Sequence, residues 1–458
     1  MDAPTASTVS RQGAPGGLIR ADLSTLLRLS GPVVVSRLGI MTMGLTDAIV
    51  VGRYSPVQLG YHALAWSPTG VVITVSIGLL TGIQVMTARA IGQERRHDAG
   101  AVLRRGLVYA AWIGLAGGLI LVDVGPWLLH ALGLPKAMAD GATGPLIVFS
   151  LSMAPYVISS AAILWLEALS KPTPAMLMMW LANAVNLVLD LVLVPGRFGA
   201  PALGAVGGAC ATFGARTALM VGLLVYIARM REARELGVFD KPARDRVAER
   251  QQLTVGFGAG ASSFFEVAAF AGMNIIAGWI GALTVAGWAI VLSVTSLVFM
   301  VPLGLSTATG VMVGRAHGAR DKRGADRAGA IGAVVTAVFG VVVSLVIWPA
   351  RDLIAQVYTT NAAALDIAGP AVAIACLFFA TDGVQVVIAQ ALRARADVWI
   401  PTTTHLISYV LVMAPLAWFL ALPLHMGLNG IVWAVVIASL LSAGFLVARF
   451  TVLARRAS

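Results

Sequence analysis

Charge is scarce in this chain. Asp, Glu, Lys and Arg make up 12% of its 458 residues, about half the share of an ordinary soluble domain, so a water-facing surface cannot be assembled from them. Cysteine is nearly absent too. Cys210 and Cys376 are the only two, and both lie in apolar runs, which excludes a disulfide framework and leaves two small buried hydrophobes. The six histidines, His62, His97, His130, His317, His405 and His425, are scattered without metal-ligand spacing, and neither a P-loop nor a nucleophile elbow occurs. An enzyme, a bound cofactor and ATP as energy source all lose their basis in the sequence. Residues 1–30 carry Arg11, Arg20 and Arg28 but no apolar run of signal-peptide length. They read as a cytoplasmic arm, with the first span an uncleaved anchor.

Apolar residues dominate instead, at 58% of the chain. The 49 glycines follow no collagen triplet, and the composition is that of an all-α polytopic membrane protein. A net charge of +11 raises nucleic acid as a partner, but the basic residues sit in short segments between long apolar stretches, as membrane loops do. On the ruler of about 20 apolar residues per crossing, twelve spans are expected. They lie near 31–52, 60–86, 106–130, 143–168, 175–195, 203–228, 254–280, 284–312, 328–350, 363–392, 399–422 and 428–450. The segment 229–252, with seven Lys and Arg, divides a six-helix lobe (31–228) from a second one (253–450), and 451–458 forms a tail.

Twelve spans place both termini and every even-numbered loop on one face. Of the 32 Lys and Arg, 26 fall on that face and only Arg53, Lys136, Arg197 and Arg351 on the other, while Arg37 and Arg216 lie within spans. The positive-inside rule then makes both termini cytoplasmic, with Trp127, Trp279, Trp288 and Trp348 near the outer boundary. Arg37 and Arg216 are open to two readings, pairing with an acid of the lobe or snorkelling to the interface.

The two lobes repeat one another. A shift of 226 residues lays GLLTGIQVMTARAIG from Gly78 onto GLSTATGVMVGRAHG from Gly304 with eight of fifteen positions identical. Because each half holds an even number of spans, the repeat is parallel, with its pseudo-two-fold axis along the membrane normal. The spacings Gly78/Gly82 and Gly310/Gly314 permit close helix packing. Pro32, Pro155, Pro302, Pro370 and Pro415 fall in spans, where a missing amide donor bends a helix.

An ionisable side chain within a span costs at least about 2.5 kcal/mol, so the few that occur are candidates for function. Asp47, Asp190, Glu266 and Asp382 lie well inside apolar runs, whereas Asp123, Asp140 and Glu167 lie near span ends and read as solvated. Desolvation favours the protonated form of a carboxyl, and such a group can release its proton when a cavity wets or a cation arrives. Asn183, Asn186 and Asp190 share one face of the fifth span at i, i+3 and i+7, where Asp47 of the first span can join them. In the second lobe Glu266 has Phe270 one turn on, and Asp382 has Phe378, Phe379 and Gln385 beside it. Carboxylates next to aromatic faces suit lipophilic organic cations.

The pattern GPVVVSRLGIMTMGLTDAIVVGR in the first span, ARAIG closing the second, NAVNLVLD in the fifth, the Glu of GASSFFEVAAF and TDGVQVVIAQALRARADVWIP together resemble the multidrug and toxic compound extrusion (MATE) family over residues 25–450. The run ALRARAD departs from the Gly-rich turn common there. The resemblance implies two six-helix lobes in a V shape, alternating access, and export of organic cations across the inner membrane in exchange for protons or sodium ions. It also implies an ion-responsive cluster at Asp47, Asn186 and Asp190, and bending of the first span near Pro32 linked to protonation of its Asp. If sodium is the coupling ion, Glu266 and Asp382 are its expected site. The expected partners are small organic cations and the bilayer, with the chain monomeric and no nucleic acid. A lipid-linked oligosaccharide flippase of the same superfamily is the nearest alternative, but it would line its cavity with cations for a pyrophosphate, and only Arg37 and Arg216 are available. A channel or a membrane-embedded enzyme would instead be revealed by uncoupled ion flux or turnover of a lipid.

The charge distribution makes a prediction about orientation. In a background lacking Cys210 and Cys376, Lys136→Cys should label with an impermeant thiol reagent in intact cells and Lys241→Cys only after permeabilisation. Labelling of Lys241→Cys in intact cells would reverse the orientation.

Overall fold

The computed structural model describes residues 15–131, 135–241, 245–359 and 361–455; Arg11, Arg244 and Arg456, counted above, lie outside the described residues. The first half contains α1 (Pro15–Tyr54), α2 (Pro56–Gly92), α3 (Asp98–Ala131), α4 (Lys136–Leu151), α5 (Met153–Ala168), α6 (Pro172–Leu193) and α7 (Ala205–Arg229). The second contains α8 (Arg246–Ile280), α9 (Ala282–Gly318), α10 (Lys322–Tyr358), α11 (Ala362–Ala375), α12 (Phe379–Ala394), α13 (Trp399–His405), a π-helical segment (Leu406–Met413), α14 (Ala414–Ala421) and α15 (Gly427–Arg455). No strand occurs among the described residues. In a bilayer every backbone polar group must be satisfied within the chain, and long helices achieve this locally.

Among the described residues ten helices are long and apolar enough to cross a membrane, and two bent pairs, α4 with α5 at 41° and α11 with α12 at 48°, make twelve crossings if each is one span. These bent crossings are repeat mates, and the breaks fall at Ser152 and at residues 376–378 rather than at Pro155 or Pro370. At the second break the Ser344 hydroxyl donates to the Cys376 carbonyl at 2.6 Å, replacing a helical donor. The register of the repeat holds throughout: shifting α2 and α5 by 226 residues reproduces the bounds of α9 and α12.

Three boundaries differ from the sequence reading. Residues 15–30 are the first turns of α1, not an arm, and Leu26 and Leu29 are buried against Leu305, Ala308 and Val387 of the second lobe. Residues 246–252 are the first turns of α8. Between the lobes, 230–240 forms turns that bury Ala233 and Leu236. Trp288 is not at the boundary: it is 1% exposed and stacks on Phe270, because it lies two turns inside α9 on the face turned to the lobe core.

The lobes meet through α1, α2, α8 and α9. A Cβ on Gly82 would lie 2.1 Å from the Gln252 carbonyl oxygen, and one on Gly256 would lie 2.1 Å from that of Leu79. Near the ends that carry the 230–245 segment, hereafter the linker side, the contact is reciprocal. A Cβ on Gly92 would meet the Arg315 carbonyl oxygen at 2.0 Å, and one on Gly318 would meet that of Arg89 at 2.3 Å. Arg89 donates through Nε and Nη2 to the carbonyls of Ala394 and Arg393, both at 3.0 Å. Its repeat mate Arg315 donates to the carbonyl of Ala168, the mate of Ala394, at 2.8 Å. Each arginine thus caps the last turn of the bent crossing in the opposite lobe, where helix carbonyls lack donors and the dipole is negative. Gln390 donates to Gln84 at 2.8 Å and Arg327 pairs with Asp22, also on this side.

Gly92→Ala and Gly318→Ala should each lower the thermal unfolding midpoint in detergent by a few degrees, since overpacking costs about 1–3 kcal/mol. Gly444→Ala, whose added Cβ meets nothing within 4 Å, should leave it unchanged. Equal midpoints in all three would contradict the close approach.

Candidate functional site

Four helices of the first lobe converge on one carboxylate. Asp47 of α1 accepts from the Asn186 side-chain amide of α6 at 2.8 Å and from the Thr212 hydroxyl of α7, with Nε2 of His62 (α2) 3.9 Å away. Asp190, one turn beyond Asn186, is fully buried and its carboxyl faces that of Asp47. Neither Asp190 oxygen has a donor among the described residues. Asn183, on the same face, turns its amide back to the Met179 carbonyl of its own helix at 2.9 Å and does not join them.

Beside this cluster lies a cavity of about 20 Å³, lined by Met43, Asp47, Trp66, Tyr156 and Arg216 among others, room for a single water. Arg216 is buried, not snorkelling. Its guanidinium sits 4.5 Å over Tyr156 and 5.4 Å from Trp66, and donates to Ser152 at the bend between α4 and α5 at 2.6 Å. Arg37 is likewise internal: Nη2 reaches both carboxylate oxygens of Glu167, at 3.3 and 3.4 Å. Glu167, read from sequence as solvated, is 3% exposed. Nearness to a span end is a poor guide to solvation where α5 ends against the opposite lobe. Asp123 and Asp140 are exposed as expected.

In the second lobe Glu266 of α8 is half-buried and Asp382 of α12 is buried. Gln385 donates to Asp382 at 3.3 Å and to the Tyr409 hydroxyl at 2.7 Å, while Ser442 of α15 donates to Gln385 at 3.0 Å. Tyr409 comes from the π-helical segment, a distortion common at functional sites. Glu266 interacts electrostatically with Asp382 and with the guanidinium of Arg393. Arg393, assigned to a loop by the sequence, is buried in the last turn of α12. Phe270 keeps partial exposure and stacks on Trp288 with centroids 6.4 Å apart. Phe378 and Phe379 do not: they pack edge to face on each other inside the lobe core. Among the described residues no three His, Cys, Asp or Glu gather as metal ligands. The missed partners His62, Thr212, Tyr409 and Ser442 are polar residues of a kind that recurs in many spans, so only the fold distinguishes them.

These features define a two-lobed, all-α membrane transporter, not an enzyme. The MatE family model matches residues 32–192 and again 259–419, once per lobe. A probable multidrug resistance protein NorM of Caulobacter vibrioides is 59% identical over 453 residues, covering 99% of this chain and 96% of that protein. A probable NorM of Mesorhizobium japonicum is 31% identical over 92% of this chain and 91% of its own length. Among solved structures, the eukaryotic MATE transporter AtDTX14 matches with a TM-score of 0.87 at 18% identity, over 96% of this chain and 99% of that one. An outward-facing MATE transporter of the MOP superfamily matches at 0.86 and 20% identity, over 97% and 100%. The chain belongs to the MATE family.

The Arg37–Glu167 pair yields a stability prediction. Glu167→Gln strands a buried guanidinium and should destabilise the protein by about 3–5 kcal/mol, whereas replacing both partners, Arg37→Met with Glu167→Leu, should recover most of that loss. A double variant no more stable than Glu167→Gln, by thermal unfolding in detergent, would contradict the pairing.

Proposed function

We propose that this protein is a multidrug exporter of the inner membrane, exchanging organic cations for protons, with both termini cytoplasmic. The Asp47–Asp190 contact carries the reading. Two carboxyls that face each other inside the helix bundle, one without a donor among the described residues, favour a proton between them, and coupled groups of this kind titrate as a pair. Deprotonation sets two like charges side by side and drives α1 and α6 apart. Because α1 also docks Leu26 and Leu29 on the second lobe, its movement reaches the seam. Pro32 leaves the Arg28 carbonyl of α1 without its helical donor, which makes that stretch the place for α1 to bend.

In the second lobe Glu266 and Asp382 offer negative charge, Gln385 orients Asp382, and Phe270 offers a ring face to an aromatic cation. Arg393 competes with the cation for Glu266, so occupancy and release differ by a modest energy. Phe378 and Phe379 support the site by packing. Closure on the linker side corresponds to an outward-facing state in this orientation. Arg37 and Arg216 are engaged within the first lobe, which speaks against a pyrophosphate-binding flippase. Each chain holds both clusters, so one copy suffices.

In proteoliposomes with an imposed proton gradient, Glu266→Gln and Asp382→Asn should reduce ethidium export at least about tenfold at unchanged expression. Asp47→Asn and Asp190→Asn should still bind the cation but fail to cycle. Parent protein should bind ethidium more weakly at pH 6 than at pH 8, because protons compete with it, and the two N-lobe variants should lose part of that difference. Normal efflux and unchanged pH dependence in both would move coupling to Glu266 and Asp382. Export driven only by a sodium gradient would replace the proton.

A further inference from the structure

One cavity lies outside both acidic clusters. It measures about 530 Å³, opens on the linker side where α2, α8 and α13 meet, and is lined by Arg89, Arg246 and Arg250 above Val247, Val255 and Val398. No acidic residue lines it. We propose that it is a headgroup site for an anionic phospholipid.

Arg246 and Arg250 stand one turn apart at the start of α8 and are exposed, and among the described residues neither has an ion pair or side-chain hydrogen bond. Other cations on this side, Arg95, Arg96, Lys171, Arg327, Arg395 and Arg449, are each paired with an acid. The acids adjacent in sequence are already engaged. Asp245 accepts from the amides of Val247 and Ala248 at 3.1 and 3.0 Å as the α8 cap, and Glu249 interacts electrostatically with Tyr109. Three guanidinium groups therefore share one cavity beside the positive end of a helix dipole, and an anion is the missing partner. A phosphate is well suited, since guanidinium donates to it in forked pairs.

The apolar floor identifies the anion as a lipid. Val247 is 69% exposed, and Trp399 and Ile400, next to Val398, are exposed as well, giving an acyl chain a surface and placing an indole at headgroup depth. Basic pockets between spans at the membrane face take such headgroups. Arg89 adds a consequence: with Nε and Nη2 committed to the opposite lobe, its Nη1 has only the Met86 sulfur at 4.0 Å. A phosphate there bonds the residue that holds the seam, so the lipid stabilises the closed linker side. This inference does not depend on which ion drives transport.

The test uses the full chain purified in phosphatidylcholine nanodiscs, with phosphatidylglycerol as probe and inorganic phosphate as a separate arm. Native mass spectrometry should find one retained phosphatidylglycerol per chain, and the unfolding midpoint should rise with that lipid but not with inorganic phosphate. Arg246→Gln with Arg250→Gln should lose both effects. Arg231→Gln with Arg234→Gln, which removes equal charge from exposed positions on the same side, should keep them. Arg250→Gln alone should weaken retention about tenfold and decides the matter if the double variant cannot be purified. Undiminished retention in the arginine variants, equal loss in the control, or equal stabilisation by inorganic phosphate would overturn the lipid site.

Discussion

Two transmembrane backbones can touch only where no side chain stands between them, and in lipid there is no hydrophobic force to bring them together otherwise. In this protein Gly82 meets the Gln252 carbonyl and Gly256 that of Leu79, and on the linker side the contact is made twice more by symmetry, Gly92 against the Arg315 carbonyl and Gly318 against that of Arg89. The approach brings each arginine within reach of the last carbonyls of the opposite bent crossing, at 2.8–3.0 Å. A charged donor to such a carbonyl contributes about 1.5–3 kcal/mol, more than a neutral one. These directional bonds add to the apolar contacts of the seam, Leu26 and Leu29 on Leu305, Ala308 and Val387 and Val85 on Val255 and Val398.

Much of this was legible in the sequence. Twelve apolar runs, the break after residue 229 and the 226-residue repeat follow from hydropathy and identity alone, because bilayer thickness fixes helix length. Asp47, Asn186 and Asp190 stood out because an acid in a span is rare. What stayed hidden depends on packing. Glu167 and Arg393 lie at ends of runs that look like loop margins, yet both are buried because α5 and α12 end against neighbouring helices. Trp288 is indistinguishable by type from boundary tryptophans, and only its face on α9 puts it in the core. Phe378 and Phe379 adjoin Asp382 in sequence, but the break at 376–378 turns both rings inward.

The two lobes share a scaffold but not a chemistry, and the repeat lets the difference be read position by position. The mate of Asp47 is Met273, and the mate of Glu266 is Ile40, so no acid of one cluster has a counterpart in the other. The mate of Asp382 is Tyr156, whose ring lies under Arg216, and the mate of Arg216 is Ser442, which bonds Gln385. Arg393 answers to Glu167, so the same helix end carries opposite charge in the two lobes.

This exchange has a physical consequence. In the first lobe Arg37 is engaged by Glu167 and Arg216 by Ser152 and two rings; Arg216 also interacts electrostatically with Asp47, with which it lines the small cavity, while Asp190 has no donor among the described residues. The cavity of about 20 Å³ beside Asp47 has room for a single water or a small ion and not for a drug. In the second lobe Glu266 and Phe270 both keep partial exposure, which in the proposed exchange leaves the charge accessible to a larger cation. Under the exchange we propose, the duplicated fold separates an ion compartment from a substrate compartment, and α1, anchored in one lobe and docked on the other, is the element that would let each sense the state of its partner.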